Sequence, residues 1–476
     1  MIFRGFIVYR SIFLDRCRQC GKDSFKTELC HNPDNLYEVL NKSSIISIYA
    51  HNILSNLRNA SIYRGLVTIL KDMKINGSKV SEIVEKHGTP LYVYNENKIR
   101  EQYRELEESL CSRYDKVQIN YAVKSNFNPR IAEILIDEGA GLDCASKAEL
   151  ELADRLDAEE VMYTAPYNRK DELEYAVEKG AEVNLDSVFL LDKMNEAPEM
   201  ICFRIDPEID SDRDLMFAGG DAKFGISEEK AVEAYRKAKK MGVEKFGIHM
   251  MTGSNVTDAS YFEHITERLL KVAKRVSSQV GIEFEFVDIG GGLGIPYRPE
   301  EDSLDIDTAA GGIVKEMEKG IEQYDIGEPE LRLEPGRYLT AEAGHLISRV
   351  TGVKQKDTEY VGLDTGMHQI LRPSLLDSYH EIRKVEKKDD PTKEERTVVG
   401  QVCSSIDVIA EERELSELKQ GDLVSIEDAG AYGFVMASHW NSRPLPAEVL
   451  VQENGVELIR ERQNKEQIFH GTSLEK

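Results

Sequence analysis

Val117-Gln-Ile-Asn-Tyr-Ala-Val-Lys-Ser-Asn126 is the stretch around which the rest of this chain is organised. Its β-branched and aromatic first half is typical of a buried strand, and the run then breaks into a loop. The strand ends in a single lysine, Lys124. Lysine is seldom fully buried unless it is paired or takes part in chemistry. Lys124 is therefore either a surface residue whose charged end reaches solvent or the point at which a cofactor is attached.

Seven further apolar strand candidates follow, most of them separated by an amphipathic helical segment. The eight candidates are residues 117–123, 140–144, 161–164, 183–186, 200–205, 246–251, 284–289 and 331–334. Eight strands alternating with helices over roughly 220 residues predict a (β/α)8 TIM barrel, with a doubly wound sheet as the alternative. Active-site residues of such barrels lie at the C-terminal ends of the strands, which is where Lys124 stands.

Changes in composition and in hydrophobic periodicity divide the chain into four parts. They are an N-terminal extension of unknown role (1–74), an N-terminal segment (75–115), the barrel (116–336) and a mostly β domain (337–476). Short alternating runs between Gly and Asp turns, such as Arg396-Thr-Val-Val-Gly400 and Asp422-Leu-Val-Ser-Ile-Glu427, predict the β domain. Leu91-Tyr-Val-Tyr94 is extended but has no barrel strand to pair with, so we expect it to join that domain.

The N-terminal extension holds an incomplete zinc-ligand pattern. Its members are Cys17, Cys20, Cys30 and His31. No second CxxC or His pair completes the spacing that a zinc site needs. We interpret these residues as free thiols in a variable extension and expect no metal site.

Composition excludes several classes of partner. The formal net charge of the 476 residues is -25 at pH 7 and no block of Lys and Arg stands out, which argues against nucleic acid. Seven scattered cysteines favour a reducing compartment over a disulfide framework. No stretch approaches the ~20 apolar residues that cross a bilayer, and the N-terminus has no clear signal-peptide cleavage site. We therefore expect a cytoplasmic protein that binds neither nucleic acid nor membrane.

Two other strand ends carry groups that suit one cofactor. Gly290-Gly-Gly-Leu-Gly294 lets backbone N–H groups approach a phosphate, although a flexible turn has the same composition. Glu334-Pro-Gly-Arg337 offers a carboxylate for a heterocyclic nitrogen and a guanidinium for an anion, with a simple salt bridge as the alternative. Together with the amine of Lys124, these groups meet the requirements of pyridoxal phosphate.

At these motifs the chain resembles the barrel-type pyridoxal-phosphate decarboxylases that act on basic amino acids, and within them the diaminopimelate decarboxylases. The resemblance runs from about Gly88 to Val451. Its motifs are Tyr121-Ala-Val-Lys-Ser-Asn126, Gly141-Leu-Asp-Cys-Ala-Ser-Lys-Ala-Glu149, Lys223-Phe-Gly225, Gly290-Gly-Gly-Leu-Gly-Ile-Pro-Tyr297, Glu334-Pro-Gly-Arg337, Leu371-Arg-Pro373, Tyr379-His-Glu-Ile382, Gly430-Ala-Tyr-Gly433, Asn441-Ser-Arg-Pro444 and Ala447-Glu-Val449. The resemblance implies a barrel plus a β domain, and a homodimer with shared active sites.

The resemblance also implies a role for each matched position. Lys124 would attach the cofactor, and Glu334 would keep its ring nitrogen protonated. Further cofactor contacts would come from Asp143, Met251, Ser254, Gly291, Gly292, Gly294 and Tyr432. Substrate contacts would come from Arg337, Arg372, Ser404 and Tyr432. Cys403 would reach into the neighbouring subunit's site as the catalytic proton donor or its organiser.

Three positions depart from the family's pattern. Met251 stands where the family usually stacks a histidine on the cofactor ring, and a thioether can pack there in its place. Ser404 replaces a glutamate and Leu376 a tyrosine, so two substrate contacts have lost polar reach, which affects discrimination between substrates. His249 shares the face of Met251 but lies deeper in the barrel, and we interpret it as a core histidine.

The predicted function is the pyridoxal-phosphate-dependent decarboxylation of meso-diaminopimelate to L-lysine and CO2, the last step of lysine biosynthesis. Ser404 and Leu376 leave open a related decarboxylase of another amino acid or amino-acid conjugate, as in siderophore or polyamine pathways. A catalytically silent cofactor-binding protein is disfavoured because Lys124, Glu334 and Cys403 are all retained. An alanine-type racemase is disfavoured by Glu334, since such racemases place an arginine at the ring nitrogen.

Overall fold

The computed structural model describes residues 72–207, 223–386 and 393–474. Cys17, Cys20, Cys30 and His31 of the N-terminal extension lie outside these residues. None of the helices in the three described ranges is both long enough and apolar enough to cross a membrane.

The described chain begins with a hairpin and a long helix. Strands β1 (Lys74–Ile75) and β2 (Ser78–Lys79) pair antiparallel and are followed by helix α1 (Val80–His87), strand β3 (Leu91–Asn95) and helix α2 (Glu96–Cys111). Helix α2 begins after Asn95 because that side chain accepts a hydrogen bond from the Lys98 N–H, which satisfies one of the free donors of the first turn.

Eight parallel strands then close into a barrel. They are β4 (Val117–Ala122), β5 (Gly141–Cys144), β6 (Val161–Thr164), β7 (Glu182–Leu185), β8 (Met200–Asp206) with its two-residue neighbour β9 (Ile226–Ser227), β10 (Lys245–Met250), β11 (Phe286–Asp288) and β12 (Glu330–Leu333). Strand β8 pairs with β10, and β12 pairs with β4, so the parallel sheet has no free edge between its first and last strands. This closure confirms the predicted (β/α)8 barrel and excludes the open doubly wound sheet.

Helices cover the outside of the barrel. They are α3 (Pro129–Asp137), α4 (Lys147–Arg155), α5 (Lys170–Glu178), α6 (Glu228–Met241), α7 (Ala259–Val280), α8 (Ile306–Gln323) and the short α9 (Arg337–Thr340). Side-chain caps set several of their starts: Asn128 accepts from the Arg130 N–H, and Ser146 accepts from the Glu149 N–H. Between β7 and β8 a 3₁₀ helix (Val188–Lys193) stands in place of an α-helix.

A second, mostly antiparallel sheet follows the barrel. Its elements are β13 (Gly344–Gln355), β14 (Glu359–Leu363), α10 (Arg372–Leu376), β15 (Ile382–Lys384), β16 (Lys393–Val399), β17 (Val408–Ser416), β18 (Leu423–Ile426), β19 (Ala447–Gln452) and β20 (Gly455–Arg460). The strand order is β17-β16-β14-β13-β3-β19-β20, and β18 pairs with both β13 and β15. The mostly β C-terminal region is therefore confirmed.

Strand β3 lies inside this C-terminal sheet although it precedes the barrel in sequence. It is antiparallel to β13 and parallel to β19. Leu91 and Val93 are buried in an apolar cluster of the C-terminal sheet, whereas Tyr92 and Tyr94 are buried in the core that continues into the barrel. Successive side chains of a strand point to opposite faces. This five-residue segment therefore packs into the C-terminal sheet's cluster with one face and into the core that continues into the barrel with the other.

Candidate active site

Lys124 lies just beyond β4, in a 3₁₀ turn over Val123–Ser125. Its Nζ donates a hydrogen bond to Oδ2 of Asp143, 2.5 Å away on the neighbouring strand β5. Burial alone would lower the pKa of Lys124, but the carboxylates of Asp143 and Glu334 outweigh that effect and the pKa is raised. The amine is therefore held as a cation between acids at the C-terminal end of a barrel strand.

The loop that follows Lys124 is tied to the C-terminal sheet region. The backbone N–H of Tyr432 donates to the carbonyl oxygen of Ser125 over 2.8 Å. The side-chain amide of Asn126 donates to the carbonyl oxygen of Gly430 over 3.0 Å. Residues about 300 positions away in sequence thus fix the backbone that directly follows the lysine.

Three buried titratable side chains meet at the ends of β10, β11 and β12. One side-chain nitrogen or oxygen atom from each of His249, Asp288 and Glu334 lies within 4.8 Å of the other two. His249 Nε2 is 3.2 Å from Glu334 Oε2. Burial would raise the pKa of Glu334, but His249 and Lys124 lower it to about 2. Burial and the charge of Glu334 raise the pKa of Asp288 well above its ordinary value. The cluster therefore keeps its negative charge on Glu334.

The glycine loop packs backbone to backbone against the turn that follows β10. The N–H of Val256 donates to the carbonyl oxygen of Gly292 over 2.9 Å, and the N–H of Gly294 donates back to that of Val256 over 3.0 Å. A Cβ at Gly291 would lie only 2.4 Å from the carbonyl oxygen of Glu334. Glycine is required there because two strand ends approach more closely than a side chain allows.

One cavity brings most of the predicted site residues together. Its lining includes Lys124, Met251, Ser254, Gly292, Glu334, Arg337 and Tyr432. Met251 Sδ accepts a hydrogen bond from the Gly291 N–H over 3.2 Å, so its thioether lies against the glycine loop. The ends of barrel strands β4, β10, β11 and β12 therefore converge on a single site.

Arg337 and Arg372 both lie against the ring of Tyr297. Their guanidinium carbons are 5.6 Å and 4.5 Å from the ring centroid. Arg337 Nη1 donates to the Tyr297 hydroxyl over 2.7 Å, and its Nη2 donates to the Ser254 hydroxyl over 3.2 Å. Within the described ranges neither guanidinium forms an ion pair with a carboxylate. Two uncompensated positive charges therefore stand beside the cavity.

Comparison with known proteins agrees with this arrangement. The pyridoxal-binding domain of the pyridoxal-dependent decarboxylases matches residues 96–341. The diaminopimelate decarboxylase of Methanothermobacter thermautotrophicus is 40% identical over 407 residues, which cover 84% of this chain and 95% of that protein. The diaminopimelate decarboxylase of Thermoplasma acidophilum is 35% identical over 395 residues, which cover 82% of this chain and 94% of that protein.

The solved structures lead to the same family. The crystal structure of diaminopimelate decarboxylase from M. jannaschii with L-lysine has a TM-score of 0.79 and 32% identity, and the match covers 84% of this chain and 95% of that chain. The chain belongs to the diaminopimelate decarboxylase family. It is a pyridoxal-phosphate-dependent decarboxylase, which confirms the predicted enzyme class and cofactor.

The site of this decarboxylase fits pyridoxal phosphate. Glu334 Oε1 is buried and has no hydrogen-bond partner among the described residues, so an ionised oxygen is left for a protonated ring nitrogen. The glycine loop offers backbone close to the cavity without side chains in the way. Lys124 supplies an amine in the same cavity. The amine, the free carboxylate oxygen and the accessible loop backbone are therefore groups that suit pyridoxal phosphate, the cofactor of the family.

Cys403, Ser404 and Leu376 lie elsewhere in the decarboxylase chain. Cys403 is exposed, and its backbone N–H donates to Oδ1 of Asn441 over 2.9 Å. Ser404 lines a separate cavity of the C-terminal sheet region that also contains Tyr360. Leu376 ends helix α10 with 47% of its surface exposed. None of the three lines the Lys124 cavity of the described chain, and the roles predicted for Cys403 and Ser404 stay predictions.

Four residues near the site were not assigned a functional role from sequence. His249 contacts Glu334, and Asp288 accepts a hydrogen bond from the glycine loop. Tyr297 contacts both Arg337 and Arg372, and His380 contacts Arg372. Asp288 and Tyr297 flank the glycine motif, and His380 belongs to the Tyr379-His-Glu-Ile382 motif, so their positions were a usable signal. His249 is buried, as expected of a core histidine, but its partner is a site carboxylate.

Proposed function

We propose that this chain decarboxylates meso-diaminopimelate to L-lysine and CO2, as the last step of lysine biosynthesis. The observation that carries the proposal is the pair Arg337 and Arg372, which stand beside the Lys124 cavity with no ion-pair partner among the described residues. A substrate with two carboxylates loses one as CO2 and offers the other to a guanidinium. Several relatives carry the name diaminopimelate decarboxylase, which supports the same substrate.

The geometry around the cavity supports the following cofactor-binding roles. Lys124 supplies the amine through which the cofactor is held, and Asp143 orients that amine. Glu334 would keep a proton on the ring nitrogen through its free Oε1. The glycine loop (Gly291, Gly292 and Gly294) and Ser254 would hold the phosphate, and Met251 and Tyr432 would contact the ring. When bound, pyridoxal phosphate withdraws electrons from the substrate Cα, so that the carboxylate can leave as CO2.

The remaining groups orient the substrate and exclude other reactions. Arg337 and Arg372 fix the substrate by its carboxylates, with Ser404 and Tyr432 as further contacts. Planar guanidinium groups suit this task because they bind a carboxylate with two parallel hydrogen bonds. A substrate gripped away from the reacting carbon keeps its leaving carboxylate in one orientation, and such positioning contributes a large share of catalysis.

We also propose that the active sites are completed in a homodimer. Cys403 is exposed and lies outside the Lys124 cavity of its own chain. Two exposed apolar side chains belong to the same surface region: Ile406, three residues further along, is 51% exposed, and Trp440, which precedes the Asn441 that accepts from the Cys403 N–H, is 45% exposed. A second copy that covers this surface would receive Cys403 at its own site, where the thiol returns a proton to the substrate Cα.

The alternative function is decarboxylation of another amino acid or amino-acid conjugate. It is favoured by Ser404 and Leu376, which have less polar reach than the residues the family usually places there. Leu376 is half exposed at the end of α10 and offers no hydrogen bond. A longer or less polar substrate would suit such positions better than a compact dicarboxylic one.

The division of the chain and its location are part of the proposal. We place the N-terminal extension at 1–74, the segment that partly joins the C-terminal sheet at 75–115, the barrel at 116–336 and the β domain at 337–476. A cytoplasmic location is supported by the odd number of scattered cysteines.

A product assay tests the proposed function. The purified full-length chain, loaded with pyridoxal phosphate, is given meso-diaminopimelate, L-lysine, L-ornithine and L-arginine in separate reactions. Release of CO2 with stoichiometric L-lysine from meso-diaminopimelate is expected. No turnover of meso-diaminopimelate by the loaded chain would contradict the proposal, and turnover of another substrate would establish the alternative.

A further inference from the structure

His380 links Arg372 to the backbone through both of its ring nitrogens. Nε2 lies 3.1 Å from Arg372 Nη1, and Nδ1 lies 2.8 Å from the carbonyl oxygen of Glu427. A carbonyl oxygen only accepts hydrogen bonds, and a guanidinium only donates them. Nδ1 must therefore carry the ring proton, and Nε2 must accept from Arg372. Both neighbours require the same neutral tautomer.

The surroundings keep this imidazole neutral. His380 is 1% exposed, and its ring meets the ring of Tyr297 edge-on at a centroid distance of 5.3 Å. Burial, and then the positive charge of Arg372, lower the pKa of His380 to about 3. A second ring proton would have to sit on Nε2, directly against the guanidinium. At neutral pH the imidazole therefore contributes an acceptor but no charge.

Glu381, the residue after His380, places a negative charge beside another arginine, Arg413. Glu381 accepts a hydrogen bond from the Tyr379 hydroxyl over 2.6 Å, and its carboxylate lies 3.8 Å from Arg413 Nη1. Arg413 also packs on the Tyr379 ring, 3.7 Å from its centroid. Arg413 is thus compensated by an acid, whereas Arg372 is held by a neutral imidazole.

We propose that His380 is a positioning residue that fixes the Arg372 guanidinium without neutralising it, so that its full charge is available to a second carboxylate on the substrate. The inference rests on the proposed function, because it assigns the distal carboxylate of a dicarboxylic amino acid to Arg372. A carboxylate at position 380 would also hold Arg372 in place, but it would compete with the substrate for the guanidinium. His380 thereby favours dicarboxylic over monocarboxylic amino acids.

The decisive comparison is between His380→Gln and His380→Glu in the cofactor-loaded full-length chain. Both side chains accept a hydrogen bond from Arg372, but only glutamate cancels its charge. We expect KM for meso-diaminopimelate to be about tenfold or more higher in His380→Glu than in His380→Gln. The inhibition constant of cadaverine, which has the amines but no carboxylate, should differ by less than about threefold. Equal KM values for meso-diaminopimelate in the two variants overturn the proposal.

A matched control and a second probe keep the result interpretable. Glu381→Gln changes a neighbouring charge that serves Arg413, so it should leave both constants within about threefold of wild type. If wild type does not decarboxylate meso-diaminopimelate, the proposed function has failed. The affinity of the same loaded proteins for pimelate, a dicarboxylate without amines, then decides the role of His380 by the same tenfold criterion, and equal affinities overturn it.

A variant that loses the cofactor is replaced by another substitution. If His380→Glu fails to show the visible absorbance of bound pyridoxal phosphate, His380→Leu takes its place. Leucine offers Arg372 no acceptor, so pimelate should bind about tenfold more weakly to His380→Leu than to His380→Gln. Equal pimelate affinities in these two variants contradict a positioning role for His380.

Discussion

The floor and the rim of the active site differ in charge and in how their residues are brought together. The floor consists of Lys124, Asp143, His249, Asp288 and Glu334, which stand on or just after barrel strands and include three carboxylates. The rim consists of Tyr297, Arg337, Arg372, His380 and Tyr432, with two guanidinium groups that lack ion-pair partners among the described residues. The comparison assigns the chemistry to the acidic floor and the choice of substrate to the cationic rim.

Lys124→Ala is the largest change on the floor. We expect kcat to fall by more than about a thousandfold, because the covalent attachment of the cofactor is lost. The visible absorbance of the attached cofactor should disappear with it. Lys147→Ala is the matched control, since Lys147 is an exposed lysine paired with Asp171, and it should keep both signals. A Lys124→Ala protein that retained the absorbance would refute the attachment site.

Glu334→Gln separates cofactor activation from cofactor attachment. The glutamine cannot hold a proton on the ring nitrogen by charge, so kcat should fall by about a hundredfold. The absorbance of the attached cofactor and KM for the substrate should change little, because Lys124 and the rim are untouched. Glu330→Gln is the control, because Glu330 begins the strand that Glu334 directly follows but is paired with Arg332. An unchanged kcat in Glu334→Gln would show that the charge of Glu334 is not needed for catalysis.

Glu448→Gln probes the contact that joins the barrel, at the start of α3, to the C-terminal sheet. Glu448 is fully buried, accepts hydrogen bonds from the Tyr94 hydroxyl over 2.7 Å and the Asn128 side chain over 3.0 Å, and pairs with Arg460. Loss of its charge should lower the free energy of unfolding by about 3 kcal/mol, because Arg460 is left without a counter-charge.

Chemical denaturation measures this effect. Glu457→Gln is the matched control, since Glu457 pairs with Arg130 on a side chain that is 42% exposed, and it should change stability by less than about 1 kcal/mol. Equal midpoints for the two variants would show that the buried pair does not join the two regions.

Asp428→Asn tests the turn behind the rim and should have the smallest effect. Burial, followed by Glu342 and Glu427, raises the pKa of Asp428 to about 7. In the unfolded chain the Asp428 carboxyl loses its proton near its ordinary pKa of 3.8, whereas in the folded protein it keeps the proton up to about pH 7. Between these two pH values the unfolded state is therefore increasingly favoured, and the carboxyl lowers the stability of the folded protein. Asparagine should therefore stabilise the protein by about 2 kcal/mol at pH 8 and by less at pH 5.

Thermal unfolding at the two pH values checks this sign. Asp377→Asn is the control, because Asp377 also has a positive φ of 51° but is exposed, and it should change stability by less than about 0.5 kcal/mol. A stabilisation by Asp428→Asn that is larger at pH 5 than at pH 8 would contradict the raised pKa.

The sequence was most informative about the floor. Alternating strands and helices predict a barrel, and the ends of its parallel strands necessarily meet at one face. The convergence of Lys124, Gly291 and Glu334 follows from that topology. The place of β3 in the C-terminal sheet was also expected, because Leu91-Tyr-Val-Tyr94 had no barrel partner.

The rim was less accessible to sequence reasoning. The contact between Arg372 and His380 depends on the tautomer of one imidazole and on a carbonyl 47 residues away. The contact between His249 and Glu334 spans 85 residues and depends on side-chain direction inside the barrel. Such pairings are set by rotamers and long-range packing, which periodicity and motif spacing do not encode.

The most direct test of the division between floor and rim is the substrate preference of Arg372→Met. The measurement is the ratio of the inhibition constant of cadaverine, which has no carboxylate, to KM for meso-diaminopimelate, in wild type and in the variant, at equal cofactor loading. If the rim selects the second carboxylate, the ratio should fall by about a hundredfold in Arg372→Met while the cofactor absorbance stays unchanged. A ratio that does not change would contradict the account, because substrate choice would then not depend on the uncompensated charge of the rim.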